Sequence, residues 1–119
     1  MKILLLEDSV IVAKLLASLL RSRGFDVIEA VSVAQAMEHL IDADIAILDY
    51  QLPDGNGLEV AKELRRRKPS AYLILLTARG HSISEREARR AGIDQYMEKP
   101  IEPETILAIV EMHSKQVAA

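Results

Sequence analysis

Five short apolar runs, separated by stretches with helical punctuation, constrain this chain more than any other feature. The runs are Lys2 to Leu6, Phe25 to Ala30, Ile45 to Leu48, Tyr72 to Leu76 and Gln95 to Glu98. Continuous rather than alternating hydrophobicity over so few residues is the pattern of strands buried on both faces. Between them, Val10 to Arg23 carries Val10, Ala13, Leu16, Ala17 and Leu20 on one side of a helix and stops at Gly24, a residue that takes the left-handed cap conformation without steric cost. Ser32 followed by Gln35 reads as a capping box opening a helix through Leu40. Gly57 to Lys68 places Leu58, Ala61 and Leu64 on one side and ends before Pro69. Ser82 or Ser84 opens a weaker helix that reaches Ala91 and stops at Gly92, and Pro103, suited to a first helical turn, starts a last helix through about Gln116. The order is strand then helix, five times over.

That alternation implies a parallel sheet with helices on both faces, because right-handed crossovers leave few other solutions. With 119 residues the chain is long enough for one sizeable core, and it holds no repeat, low-complexity stretch or Gly/Ser linker. One domain over residues 1–119 is expected. Half the residues are apolar and 28% are charged, a globular balance that excludes disorder for the bulk of the chain.

Other classes fall away on composition. A net charge of −3 gives no pull towards nucleic acid or anionic lipid, and four aromatic residues (Phe25, Tyr50, Tyr72, Tyr96) leave few rings to stack on bases. The absence of cysteine removes disulfides, thiolate zinc sites and thiol nucleophiles. No apolar run reaches membrane-spanning length, and the N-terminal run ends at Glu7 and Asp8 without a cleavage site. A cytoplasmic protein without membrane or direct nucleic-acid contact is expected.

Ligands of open parallel sheets bind beyond the carboxyl ends of the strands. At those ends stand Glu7 and Asp8 after the first run, Asp49 after the third, Thr77 after the fourth and Lys99-Pro100 after the fifth. Three carboxylates converging on one edge repel one another and call for a cation, and oxygen-only donors favour a hard ion such as Mg²⁺. Taken singly, each residue also has an ordinary reading: Glu7-Asp8 as helix N-terminal charge, Asp49 as a turn residue before Leu-Pro-Asp-Gly-Asn-Gly, Thr77 as a strand end, Lys99 as a surface lysine. Their joint placement on four strand ends is what those readings leave unexplained.

These same residues carry a resemblance. Glu7-Asp8 after an apolar strand, Asp49 within Leu-Asp-Tyr-Gln-Leu-Pro-Asp-Gly-Asn-Gly, Thr77-Ala78 after Leu-Ile-Leu-Leu, and Lys99-Pro100 together resemble the receiver domain of two-component response regulators, over essentially the whole chain. The resemblance implies a doubly wound (βα)5 fold with flavodoxin-like strand order 2-1-3-4-5. It implies that Asp49 is the phosphoacceptor for a phosphohistidine of a sensor histidine kinase or phosphotransfer protein. Asp8 and Asp49 would ligate Mg²⁺ directly, Glu7 through water, and Gln51 through its backbone carbonyl. Lys99 would pair with the phosphoryl group, Thr77 would donate its hydroxyl to it, and Tyr96 would be the aromatic whose rotamer reports phosphorylation. The altered surface of the fourth helix, fifth strand and fifth helix would then act on a downstream effector domain or protein, with a phosphorylation-dependent dimer as one outcome. Such a chain catalyses only its own phosphorylation and dephosphorylation.

The competing enzyme reading is a Mg²⁺-dependent phosphatase with an aspartyl nucleophile. That chemistry has a second Asp two residues after the nucleophile, where this chain has Gln51. A flavin carrier of similar fold would need a Ser/Thr/Gly-rich loop after the first strand, where Glu7-Asp8-Ser9-Val10 stands. Gly55-Asn56-Gly57 lacks the third glycine of a dinucleotide fingerprint, since position 60 is Val60. The basic run Arg65-Arg66-Arg67-Lys68 reads as a solvated helix end complementing the helix dipole, and His39, His81 and His113 have no ligand spacing. Two departures from the family pattern stand out: Ile109 occupies a position where dimerising DNA-binding members carry Arg, and Glu102 replaces the usual Asp before Pro103.

Overall fold

The computed structural model describes residues 1–78 and 83–118. Five strands, β1 (Lys2–Leu6), β2 (Asp26–Ala30), β3 (Ile45–Asp49), β4 (Tyr72–Ala78) and β5 (Gln95–Lys99), form one parallel sheet in the order β2-β1-β3-β4-β5. Helices α1 (Val10–Ser22), α2 (Val33–Met37), α3 (Gly57–Arg67), α4 (Glu85–Arg90) and α5 (Pro103–Ala118) connect and follow them. The sequence-derived order and fold class hold.

Period-two alternation divides the core into two layers. Ile3, Leu5, Ile45, Ile47, Ile74 and Leu76 pack under Ala13, Leu16, Ala17 and Leu20 of α1 and Ile106, Leu107 and Val110 of α5. Leu4, Leu6, Ala46, Leu48, Leu73 and Leu75 point the other way, under α2, α3 and α4. The central strand β3 is buried along its whole length, whereas the edge strands β2 and β5 are only half-buried. Continuous apolar runs therefore mark the centre of the sheet, and the edges tolerate Glu29 and Gln95 at half-buried positions and Glu98 at an exposed one.

Several boundaries differ from expectation for local reasons. Val10 is 62% exposed, and the buried face of α1 begins at Ala13 because the first turn sits at the carboxyl edge of the sheet, past the strand side chains it could cover. Helix α2 ends at Met37 rather than Leu40: i→i+3 bonds from Glu38 and His39 tighten the chain, and Leu40–Asp42 forms a separate 3₁₀ turn with Leu40 buried. Ser32 caps α2 as expected, accepting from Gln35 N, but the Gln35 side chain reaches back to Val31 N at 3.0 Å rather than to the cap residue. Ser84 caps α4, and Ser82 lies outside the described residues. Gly24 takes φ +87° after α1, the conformation its place in the sequence anticipates.

The basic run at the end of α3 is not simply solvated. Arg65 donates to the carbonyls of Pro69, Ala71 and Gly92 and to Asp94, clamping α3 to the turn before β5. Arg66 and Arg67 share Glu63, and Lys68 holds Asp44 at 3.0 Å and the Ile41 carbonyl. Each of the four charges has an acidic or carbonyl partner, Arg66 and Arg67 in ion pairs on the exposed face of the helix. His113 stacks on Tyr72, ring centroids 4.2 Å apart, so it anchors α5 to the start of β4.

Candidate functional site

The alternation that fills the core also builds the site. Continuing the row Ile3, Leu5 by two places reaches Glu7, continuing Ile45, Ile47 reaches Asp49, and Ala78 lies opposite Lys99 in the row of Ile74 and Leu76. Glu7, Asp49 and Lys99 thus extend one face of the sheet past its hydrophobic rows, at the carboxyl edge. Glu7 and Asp49 are buried, 3% and 6% exposed, and Asp8 is exposed. Carboxylate oxygens of Glu7, Asp8 and Asp49 lie within 4.8 Å of one another.

Among the described residues, one ammonium faces this cluster. Lys99 Nζ lies 3.0 Å from Asp49 Oδ1 and 3.3 Å from Glu7 Oε1. Burial alone would lower the Lys99 pKa, but the hydrogen bond and charge of Asp49, reinforced by Glu7, outweigh it and raise the group above its ordinary value. Glu7 moves up as well, first because burial penalises its charge and then because it hydrogen-bonds and faces Asp49; Lys99 and the Ser9 N–H offset this only in part. Among the described residues, three carboxylates here face one lysine.

Thr77 and Tyr96 sit on the opposite face of the sheet. Leu75 is registered with Tyr96 and Thr77 with Glu98, so Thr77 and Tyr96 are diagonal neighbours on the side of α2, α3 and α4. Thr77 is fully buried and its Oγ1 has no hydrogen-bond partner among the described residues. Tyr96 is half-buried, packs against the α2–α4 core, and donates from its hydroxyl to the Ile83 carbonyl at 3.2 Å.

The loop after Asp49 is a built element. Gln51–Leu52 and Gly55–Asn56 pair as a small antiparallel hairpin, with Gln51 opposite Asn56. Asn56 then caps α3 in a full capping box with Glu59, a pattern that Asn-x-x-Glu announces and that the reading of these residues as turn chemistry passed over. Gly57 is there for space: a Cβ on it would lie 2.4 Å from the Asp49 carbonyl oxygen and 3.3 Å from Leu48 Cβ. Spacing alone does not expose such a contact.

With the geometry in place, comparison with known proteins is decisive. The profile of the response regulator receiver domain matches residues 3–111. The chain belongs to this family. Transcriptional regulatory protein CpxR of Escherichia coli is 36% identical over 108 residues, covering 90% of this chain and 46% of CpxR. A cyclic di-GMP phosphodiesterase of Thermotoga maritima is 30% identical over 106 residues, covering 89% of this chain and 29% of that protein. A response regulator from Burkholderia pseudomallei, solved with a phosphorylated aspartic acid, calcium ion and citrate, superimposes with a TM-score of 0.80 at 27% identity, covering 98% of this receiver domain and 70% of that chain. The receiver domain spans between 29% and 53% of the length of such curated relatives. Receiver domains are phosphorylation-controlled signalling modules, so control rather than substrate turnover is the general function. No helix among the described residues is long and apolar enough to cross a membrane.

Proposed function

We propose that this receiver domain accepts a phosphoryl group on Asp49 from a phosphohistidine of a sensor histidine kinase or phosphotransfer protein. The observation that carries the reading is the cluster at the sheet edge: among the described residues, three carboxylates within 4.8 Å are met by one lysine 3.0 Å from Asp49. An Asp49 oxygen attacks phosphorus, the P–N bond breaks, and the imidazole leaves with the electron pair. Little covalent assistance is needed, and positioning and charge neutralisation carry the rate. Lys99 holds the Asp49 carboxylate in place and then pairs with the phosphoryl oxygens.

The oxygen-only donor set fits Mg²⁺. Asp8, Asp49 and the Gln51 carbonyl would hold it directly and Glu7 through water, and the bound ion would supply positive charge against the transferring oxygens. Burial and the neighbouring Asp49 hold the Glu7 pKa above its ordinary value, a direction that a bound cation would oppose.

Phosphorylation adds about 1.5 to 2 negative charges. The Thr77 hydroxyl, buried without a partner among the described residues, gains an acceptor by moving towards the phosphoryl group, and the space it leaves lies diagonally beside the Tyr96 ring. Inward rotation of Tyr96 would give up its bond to the Ile83 carbonyl and so release the entry to α4. Helix α4 buries only Ala88 within its span and is suited to moving. The α4, β5 and α5 surface is the output face, read by an effector domain or protein; Ile109, packed against the α1/α5 core, stands where the dimerising members carry arginine and weakens that mode of association. The domain itself works in the cytoplasm and makes no nucleic-acid contact, in keeping with its net charge of −3 and the ion pairing of its basic run with Glu63 and Asp44.

Incubation with acetyl phosphate and Mg²⁺, followed by intact-mass analysis, tests this. One hydroxylamine-labile phosphate per chain is expected on the wild type and none on Asp49→Asn. Consumption of many phosphodonor equivalents without accumulation of phosphoprotein would point to the phosphatase reading instead.

A further inference from the structure

Asp54 stands at the turn of the small hairpin that follows the phosphoacceptor. Its Oδ1 accepts from Val33 N at 2.8 Å and its Oδ2 from Ala34 N at 3.0 Å. These are the first two N–H groups of α2, and Ser32 takes the third through Gln35 N. A loop twenty-one residues downstream of Val33 thereby supplies the cap that the local sequence leaves incomplete. Both carboxylate oxygens are used, each on a different N–H, which fixes the hairpin tip in orientation as well as in position.

The two ends of this contact lead to opposite sides of the acidic cluster. On one side, Val33 follows the end of β2, where the Ala30 carbonyl accepts from Glu7 N at 3.0 Å and so holds the loop that carries Glu7 and Asp8. On the other side, Asp54 belongs to the loop that starts at Asp49 and carries Gln51. The base of that loop is held by Tyr50 N on the Leu76 carbonyl at 2.8 Å and by Gly57 N on the Tyr50 carbonyl at 2.9 Å. Gln51 lies between the fixed base and the tip. Without the Asp54 contact, the tip would be joined to the rest of the fold through Leu52, half-buried against the core, and through the α3 cap.

We infer that Asp54 is a positioning residue for divalent-cation binding: it straps the Asp49 loop to α2 and so sets the separation between the Gln51 carbonyl and the Glu7-Asp8 loop. The inference rests on the reading of the acidic cluster as a Mg²⁺ site. Residues that orient ligands without touching the ion commonly change metal affinity by an order of magnitude or more when removed. The strap gives both oxygens of the acidic residue a use that glycine, equally suited to the hairpin turn, would leave unfilled.

Titration calorimetry with MgCl₂ tests it on wild type, Asp54→Ala, Asp54→Asn and Gln35→Ala. Asp54→Ala should bind Mg²⁺ about tenfold more weakly, and amide exchange in residues 50–57 should accelerate in the metal-free protein. Asp54→Asn keeps one accepting oxygen and should fall between the two, which preserves the test if the alanine variant folds poorly. Gln35→Ala removes the Val31 N–H bond from the same helix end without touching the loop, so its affinity should equal that of wild type. Equal Mg²⁺ affinity in wild type and Asp54→Ala would overturn the inference, as would an equal loss in Gln35→Ala, which would reduce the effect to weakening of α2. Absence of Mg²⁺ binding by the wild type would overturn the metal-site reading itself and the inference with it.

Discussion

The hydroxyl of Tyr96 donates to the backbone carbonyl of Ile83 at 3.2 Å, joining β5 to the residue that precedes the capping Ser84 of α4. On the same face, one step diagonally along β4, the Thr77 hydroxyl is buried without a partner among the described residues. A satisfied and an unsatisfied hydroxyl thus stand side by side between the sheet edge that carries Asp49 and α4. A ligand shifts a two-state equilibrium only through contacts that differ between the states, and Thr77 is poised to make such a contact.

Thr77→Val keeps the shape and removes the hydroxyl. Because an unpaired buried hydroxyl costs about 1 to 3 kcal/mol, the unphosphorylated variant should be more stable than wild type, by about 1 kcal/mol in urea denaturation. It should still be phosphorylated, since Asp49 and Lys99 are intact, but amide shifts of Ile83 to Lys99 should stay near their unphosphorylated values. Equal shifts in both proteins at matched phosphorylation would show that Thr77 is not the trigger and would turn attention to Lys99.

The acidic cluster should make the protein's stability depend on metal. At free Mg²⁺ about 100 times its Kd, linkage predicts about 2.7 kcal/mol of added stability, seen as a higher melting temperature. Asp8→Ala removes a proposed direct ligand and should lose more than about tenfold in Mg²⁺ affinity, while its metal-free form melts no lower than wild type because one of three like charges is gone. Unchanged Mg²⁺ affinity in Asp8→Ala would remove that residue from the site.

Glu7 gives the pH dependence its sign. Its folded pKa lies above 4.5, the ordinary value, because burial and Asp49 disfavour its charge. Over the range from 4.5 up to the folded pKa, the folded metal-free protein therefore holds a proton that the unfolded chain has lost, and its stability falls as pH rises through that range. Cation binding favours ionised Glu7, so Mg²⁺ affinity should rise with pH over the same range and binding should release protons. Calorimetry in two buffers of different ionisation enthalpy measures that release, and Glu7→Gln should abolish it.

Gly57→Ala should damage the site without altering any charge. Its Cβ would fall 2.4 Å from the Asp49 carbonyl oxygen, so either α3 or the end of β3 must shift. Overpacking of this kind costs about 1 to 3 kcal/mol, and phosphorylation by acetyl phosphate should slow along with the loss in stability. Gly55 tests the contrast: a Cβ there meets only the flexible end of Glu59 in space, although its φ of +158° is unusual for other residues. Gly57→Ala should therefore slow phosphorylation more than Gly55→Ala.

A parallel sheet with helices on both faces and the placement of Glu7, Asp8, Asp49, Thr77 and Lys99 at strand ends were legible from the residues themselves, whereas the strand order came with the family resemblance. A parallel sheet with right-handed crossovers has few arrangements, and the side-chain period of two carries the Ile3-Leu5 and Ile45-Ile47 rows straight to Glu7 and Asp49. What the tertiary structure decided depends on distances between segments remote in the chain. Arg65, in sequence one of four helix-end cations, became a clamp because the Gly92 carbonyl and Asp94 lie beside it. Val10 follows the helical pattern of α1 yet stands in water because the sheet ends beneath it. Asp54 reads as a turn residue, and only the approach of α2, twenty-one residues earlier, turns its two oxygens into a strap. Periodicity records which side a residue faces; which group it meets there is set by packing.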